Sequence, residues 1–190
     1  MPDGGRVITG RAKGLRLDAP GEGTRPLTDR LKQSLFAVLE SASDLAAGGS
    51  FLDLFAGSGG AGIEALSRGA GRAVFVEQDG RACRVIQGNL RRSGLEGGIV
   101  VRDDVLDFLS RGSAAAGGPF GSCLLDPPYD LPVLSTCLDL LADSALDWPT
   151  RGAVVVAKHF WRTPPADQVG RLEVFRRVRT GETMLTFYQE

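Results

Sequence analysis

Four consecutive residues, Asp126-Pro127-Pro128-Tyr129, follow the apolar run Cys123-Leu124-Leu125, and their types suit work on an amino nitrogen. Two prolines in succession remove two backbone donors and hold the chain extended, so nearby carbonyls project outward. An exocyclic amino group such as guanine N2 is a poor nucleophile, because its lone pair is delocalised into the ring. The Asp126 carboxylate and the Pro127 carbonyl would each accept one of its hydrogens. That grip would pull the nitrogen towards a tetrahedral shape and aim its lone pair at an electrophile. Tyr129 offers a face on which an extruded base can stack. Asp126, Pro127, Pro128 and Tyr129 are therefore the candidate catalytic residues. Alignment and desolvation would supply much of the rate, and the chemistry calls for no metal.

A source of the electrophile is implied by Asp53-Leu54-Phe55-Ala56-Gly57-Ser58-Gly59-Gly60-Ala61-Gly62, which runs from a strand through a glycine turn into a helix. Glycines allow the tight turn and a close approach of backbone to ligand. Glu77 lies 20 residues beyond Gly57, at the end of the next strand, where a carboxylate can accept from both hydroxyls of a ribose. The spacing of Gly57, Gly59 and Gly62 also fits the dinucleotide fingerprint, so glycines alone do not separate NAD from S-adenosylmethionine. The flanks favour S-adenosylmethionine. Asp53, four residues before the first glycine, holds the acidic position that serves the methionine end of that cofactor in methyltransferases. Downstream, Asp104 would take an adenine amino group and the Val105 N–H a ring nitrogen, although Asp103 and Asp104 could instead simply cap a short helix through Leu109. The candidate cofactor residues are Asp53, Phe55, Ala56, Gly57, Ser58, Gly59, Gly62, Glu77, Gln78, Asp104, Val105 and Thr28.

The elements that must position these groups alternate. Strands are expected at Phe51–Phe55, Ala73–Glu77, Ile99–Arg102, Ser122–Asp126 and Ala153–Ala157. Helices are expected at Gly60–Arg68, Asp79–Ser93 and Leu131–Leu141, after a first helix capped by Thr28 with Leu31, Leu35, Val38 and Leu39 at helical spacing. This rhythm predicts a parallel sheet with helices on both faces. Arg171–Arg179 and Thr183–Gln189 flank Thr180-Gly181-Glu182 as an antiparallel hairpin. An antiparallel hairpin closing a parallel sheet marks the class I S-adenosylmethionine-dependent methyltransferase fold, an α/β, Rossmann-like sheet of seven strands. A small β-hairpin is expected before it, with Arg6-Val-Ile-Thr-Gly and Leu15-Arg-Leu around Ala12-Lys13-Gly14. Residues 1–27 would form this extension and 28–190 the methyltransferase domain.

Composition bounds the class. At 190 residues, 43% hydrophobic and 24% charged, the chain suits one globular domain rather than a disordered one. No apolar run is long enough to span a bilayer, and residues 1–5 lack the basic and apolar regions of a secretory signal. Cys83, Cys123 and Cys137 show no CxxC spacing, so neither a zinc site nor a disulfide framework is indicated, and a reducing cytoplasm is expected. The net charge of −1 hides an asymmetry: residues 1–36 carry seven basic and four acidic side chains, and residues 158–179 six and two. Basic ends around an acidic centre can steer a phosphate backbone to one face. Arg6, Arg11, Lys13 and Arg16 of the hairpin, with Arg25, Arg30 and Tyr129, are the candidate substrate-binding residues.

With these motifs in place, the chain resembles the RsmD family of 16S ribosomal RNA guanine-N2 methyltransferases over nearly its whole length. The resemblance rests on Arg6-Val-Ile-Thr-Gly, Thr24-Arg25-Pro26-Leu27-Thr28-Asp29-Arg30, Leu52-Asp-Leu-Phe-Ala-Gly-Ser-Gly, Asp126-Pro-Pro-Tyr and Gly181-Glu-Thr-Met. The Thr24–Arg30 segment is the most discriminating, since Asp126-Pro-Pro-Tyr and the glycine loop occur in many amino-methylating enzymes. The family implies N2 methylation of one guanine in 16S rRNA, on the small ribosomal subunit. It implies that Thr24–Arg30 lines the cofactor's methionine end or the RNA entrance. The chain is expected to act as a monomer. Leu27 departs from the second threonine common there, and Lys158 stands where relatives often carry glutamate.

The single histidine, His159, reads as structural or RNA-facing, Trp148 and Trp161 as packing residues, and the cysteines as small buried hydrophobes. Rival functions are amino-methylation of another RNA base, of DNA or of a protein amide, and an inactive RNA-binding assembly factor. A DNA enzyme would usually carry a sizeable recognition insertion, for which no segment is long enough. An NAD oxidoreductase would leave Asp126–Tyr129 and the terminal hairpin without a role.

Overall fold

The computed structural model describes residues 2–21, 26–128 and 133–190. Two short antiparallel strands, β1 (Asp3–Arg6) and β2 (Arg16–Asp18), precede α1 (Asp29–Ala42). There follow β3 (Ser50–Leu54), α2 (Gly60–Arg68), β4 (Arg72–Glu77), α3 (Gly80–Ser93), β5 (Gly98–Arg102) and α4 (Val105–Ser110). The remainder is β6 (Phe120–Leu125), α5 (Val133–Ala142), β7 (Pro149–Phe160), β8 (Gln168–Val169), β9 (Leu172–Thr180) and β10 (Thr183–Gln189).

The main sheet runs β5-β4-β3-β6-β7-β10-β9-β8. Strands β3 to β7 pair in parallel, and β10 lies antiparallel between β7 and β9. The expected seven strands are all present; the two-residue β8 adds an eighth at the edge by pairing with β9. Because the chain passes from β3 to β4 and β5 on one side, and to β6 and β7 on the other, the direction of winding reverses between β3 and β6. Ligand crevices of open α/β sheets form at such a reversal, outside the carboxyl ends of the strands.

Helices cover both faces, which is why the central strands read as continuous apolar runs rather than alternating ones. Phe51, Phe75, Leu124 and Val156 pack under α1 and α2, whereas Leu52, Val74, Cys123 and Val155 pack under α4 and α5. Helix ends follow local chemistry. The Thr28 hydroxyl accepts from Leu31 N–H to cap α1, the Asp79 carboxylate caps α3, and α3 stops at Gly94 in the left-handed conformation.

The N-terminal hairpin forms, with its ladder displaced from the expected strands. Asp3–Arg6 pairs with Arg16–Asp18, while the chain beyond Val7 leaves the ladder to dock on α2. The fully buried Glu64 carboxylate accepts from the N–H groups of Ile8 (2.8 Å) and Thr9 (3.0 Å), and the Ser67 hydroxyl accepts from Ala12 N–H. Lys32 is also fully buried, with its ammonium donating to the Arg6 carbonyl at 2.7 Å; burial lowers its pKa, while the Glu64 and Asp29 charges oppose that shift. Val7, Leu17 and Ala19 thereby enter the core. Strand β7 extends well beyond the expected Ala153–Ala157, because its pairing with β10 runs from Val155 to Phe160. Lys158 and His159 therefore lie within the strand.

Candidate active site

A cleft of about 970 Å³ opens at the carboxyl ends of β3, β4, β6 and β7. Its walls include Thr28, Asp53, Phe55, Ala56, Gly57, Ser58, Glu77, Gln78, Asp104, Val105, Asp126, Pro127 and Pro128. The fold thus gathers every described residue expected to touch cofactor or target base except Gly59 and Gly62. Those two serve packing. Gly59, at φ 78°, caps α2 against Ile86, and a Cβ at Gly62 would stand 2.3 Å from the Phe75 ring. Tyr129 and Arg25 lie outside the described residues.

The glycine loop leaves β3 through Phe55, which adopts φ 62°, a left-handed conformation that costs a non-glycine residue about 1–3 kcal/mol. Surrounding bonds hold the loop. Gly57 N–H donates to Glu77 Oε2 at 2.9 Å, and Asp79 N–H donates to Glu77 Oε1 at 2.9 Å. The Glu77 carboxylate, half-buried at the end of β4, is fixed in this way with lone pairs still facing the cleft. Asp53 is 2% exposed and accepts from Gly62 N–H at 2.8 Å. Burial pushes its carboxyl up to about 8, with Asp126 and Glu77 adding to the rise against the Gly62 hydrogen bond.

The Asp103-Asp104 pair divides between two surroundings. Asp104 Oδ1 accepts from Leu106 and Asp107 N–H and so caps α4, yet Asp104 also lines the cleft beside Val105. Asp103 instead pairs with Arg111.

Asp126 follows β6, with its N–H continuing the ladder to the Leu54 carbonyl. Pro127 is buried and Pro128 exposed. Asp126 Oδ1 accepts from the Lys158 ammonium, a partner that the residue types alone did not point to. Burial pushes the Asp126 carboxyl up, and the Lys158 charge opposes the rise. His159 is structural: Nδ1 lies 2.8 Å from the Phe160 carbonyl, which can only accept, so Nε2 accepts from the Thr186 hydroxyl. Burial lowers its pKa, in keeping with a neutral ring.

The N-terminal cations divide between two ends of the molecule. Arg6 pairs with Asp29, the residue after Thr28, and Arg30 is exposed in the first turn of α1. Arg11 donates to the Leu66 carbonyl in the last turn of α2, where a cation complements the helix dipole. That turn lies about 10 Å along the helix axis from the glycine loop. Lys13 sits on the same turn of the hairpin, hydrogen-bonded through its N–H to Gly10, and Arg16 faces Asp3. The fold therefore ties Arg6, through Asp29, to the helix start that carries Thr28 of the cleft wall, and sets Arg11 at the other end of α2.

Trp148 is a packing residue as expected, fully buried against Phe108 and Phe120. Trp161 differs: it is half-buried just beyond β7, with the guanidinium groups of Arg179 and Arg162 against its ring. All three cysteines are free and buried, and burial pushes the Cys123 and Cys137 thiols up to about 12. Among the described residues, no helix is long and apolar enough to cross a membrane.

Comparison with known proteins follows the same lines. The pattern of the family described as Conserved hypothetical protein 95 matches residues 5–189. The chain belongs to this family, that of RsmD. YlbH of Bacillus subtilis, a candidate rRNA methyltransferase, is 36% identical over 187 residues, spanning 97% of this chain and 98% of that protein. Ribosomal RNA small subunit methyltransferase D of Escherichia coli K12 is 34% identical over 140 residues, 73% of this chain and 67% of that protein. Among solved structures, the candidate methyltransferase yhhF of Escherichia coli superposes with a TM-score of 0.83 at 27% identity, covering 97% of both chains. A hypothetical protein of Thermus thermophilus gives 0.82 at 33% identity, covering 97% of this chain and 99% of the other. The fold of this RsmD-family chain is that of the class I methyltransferases.

Proposed function

We propose that this protein transfers a methyl group from S-adenosylmethionine to the exocyclic N2 amino group of a guanine in 16S rRNA, acting on the small ribosomal subunit. The observation that carries the reading is the meeting, in one cleft, of the Asp126-Pro127-Pro128 turn with Asp53, the glycine loop, Glu77 and Asp104. The name of the Escherichia coli relative supports the choice of small-subunit rRNA.

The donor set fits the cofactor. Glu77 would accept from the ribose hydroxyls, Asp104 from the adenine amino group, and Val105 N–H, the first in α4, would donate to the ring. Asp53 gives one oxygen to Gly62 N–H and lines the cleft, where its other oxygen would accept from the methionine ammonium. Phe55, Ala56, Gly57 and Ser58 would bring backbone to the same end, with Gln78 and Thr28 completing the walls. When bound, the cofactor supplies a methyl group activated on a sulfonium. The chain's own residues do the aligning. Asp126 and the Pro127 carbonyl hold the two amino hydrogens, and enclosure by Pro127, Leu124 and Thr183 removes water around the nitrogen.

One observation favours a second reading, an RNA-binding factor without turnover: Lys158 already occupies one oxygen of Asp126. The other oxygen remains for the substrate, and a single experiment separates the two. Labelled methyl transfer from S-adenosylmethionine is measured on small subunits, free 16S rRNA and DNA, for the native protein and Asp126→Asn. The expected result is transfer to small subunits that falls by at least about 100-fold in the variant, while cofactor affinity changes little. RNA binding with no transfer by the native protein would establish the second reading.

A further inference from the structure

Trp161 is set at the rim of the cleft by the backbone. Its N–H donates to the Glu182 carbonyl at 3.0 Å, and the same turn lends Thr180, Glu182 and Thr183 to the cleft wall. The Arg179 guanidinium lies 3.8 Å from the centre of the indole ring and that of Arg162 lies 4.9 Å away. Arg179 Nε donates to the Gly181 carbonyl, which ties one arginine to the turn as well.

Among the described residues, neither guanidinium pairs with a carboxylate, and both side chains belong to exposed residues. Other described arginines also lack a carboxylate, among them Arg11, Arg30, Arg72 and Arg176. What sets Arg162 and Arg179 apart is that both lie against one indole, beside the turn that lines the cleft. Stacking on an indole restrains the guanidinium before any ligand arrives and leaves its terminal Nη–H groups directed outward to grip a phosphate in a two-pronged contact.

We propose that Trp161, with Arg162 and Arg179 against its ring, forms the phosphate-gripping lip over which the RNA strand carrying the target base enters the cleft. The inference rests on the reading that RNA is the substrate. It moves the principal docking surface from the expected hairpin set of Arg6, Arg11, Lys13 and Arg16, with Arg25 and Arg30, to the β7–β10 side of the mouth.

The test compares the native protein with R162Q/R179Q, R162K/R179K and R11Q/K13Q. Affinity for transcribed 16S rRNA is measured over a series of salt concentrations, and calorimetry with S-adenosylhomocysteine checks that each protein is folded. Each phosphate contact contributes about 0.7 to 0.9 to the slope of log affinity against log salt, so R162Q/R179Q should flatten the slope by roughly 1.4 to 1.8. Its affinity at low salt should fall about tenfold or more. R162K/R179K should keep most of the slope, and R11Q/K13Q all of it. Native slope and affinity in R162Q/R179Q would overturn the lip, as would a flattened slope in R11Q/K13Q alone. Failure of the native protein itself to bind RNA would instead overturn the substrate reading, and the lip with it.

Discussion

Asp53 carries a proton that the cofactor should expel. Burial pushes its carboxyl up to about 8, so at pH 7 the free protein holds it mostly neutral. An ammonium group placed against it favours the ionised form, so binding at pH 7 should release close to one proton. The release should vanish well above pH 8, where Asp53 is already ionised before binding. Calorimetry of S-adenosylhomocysteine in buffers of different ionisation enthalpy measures this directly, and Asp53→Asn should abolish the buffer dependence. An equal, zero dependence in both proteins would place the ammonium elsewhere. Asp53, Glu77, Asp104 and Asp126 could be picked out of the sequence because each lies at or just beyond the carboxyl end of a strand, at a fixed distance from its motif. Lys158 and Lys32 were not. A lysine's type speaks for water, whereas Asp126 lies 32 residues from Lys158, and the Arg6 carbonyl lies 26 from Lys32. Such partners exist only once the chain has folded.

Elements read well where local chemistry closes them and poorly where tertiary pairing does. Helix α3 lies between its Asp79 cap and Gly94, both visible as residue types. Strand β7 exceeds its apolar run because β10 supplies a ladder for Lys158, His159 and Phe160. The glycine loop holds a similar lesson. Gly57 belongs to the cleft, but Gly62 lets α2 lie directly on β4, where an added Cβ would meet Phe75 at 2.3 Å. Gly62→Ala should therefore destabilise the protein by about 1–3 kcal/mol through overpacking. A lowered urea midpoint at unchanged slope would report it, and Phe75→Leu in the same chain should recover part of the loss. A midpoint equal to that of the native protein would mean that helix and strand separate freely.

At the scale of the molecule, the N-terminal extension is bound into the methyltransferase body. Val7 and Leu17 lie in its core, and Glu64, Ser67 and Asn89 of α2 and α3 bond to its backbone. Removing residues 1–19 would take Val7 and Leu17 out of the core, bare the apolar surface they cover, and strip Glu64 and Lys32 of their backbone partners. The truncated protein should melt about 10 °C or more below the native one, whatever becomes of RNA binding. A melting temperature within a few degrees of native would show the extension to be a separable module. The charge balance along the chain located two basic ends, but not their direction in space. Arg11 is turned to a helix end and Arg179 to an indole, and only the folded sheet decides which of them faces the cleft.

Asn89 has its hydrogen-bonding capacity filled at both ends of one amide. Its Nδ2 donates to the carbonyls of Ser58 and Asp18, and its Oδ1 accepts from Asp18 N–H and from Arg92. The site therefore distinguishes nitrogen from oxygen in a group whose two halves have nearly the same size. Hydrolysis of that amide would exchange one donor for a third oxygen facing two carbonyls. The glycine loop and the N-terminal segment would then be pushed away from the same point. One altered atom, remote from the reacting centre, would age the protein at both places together.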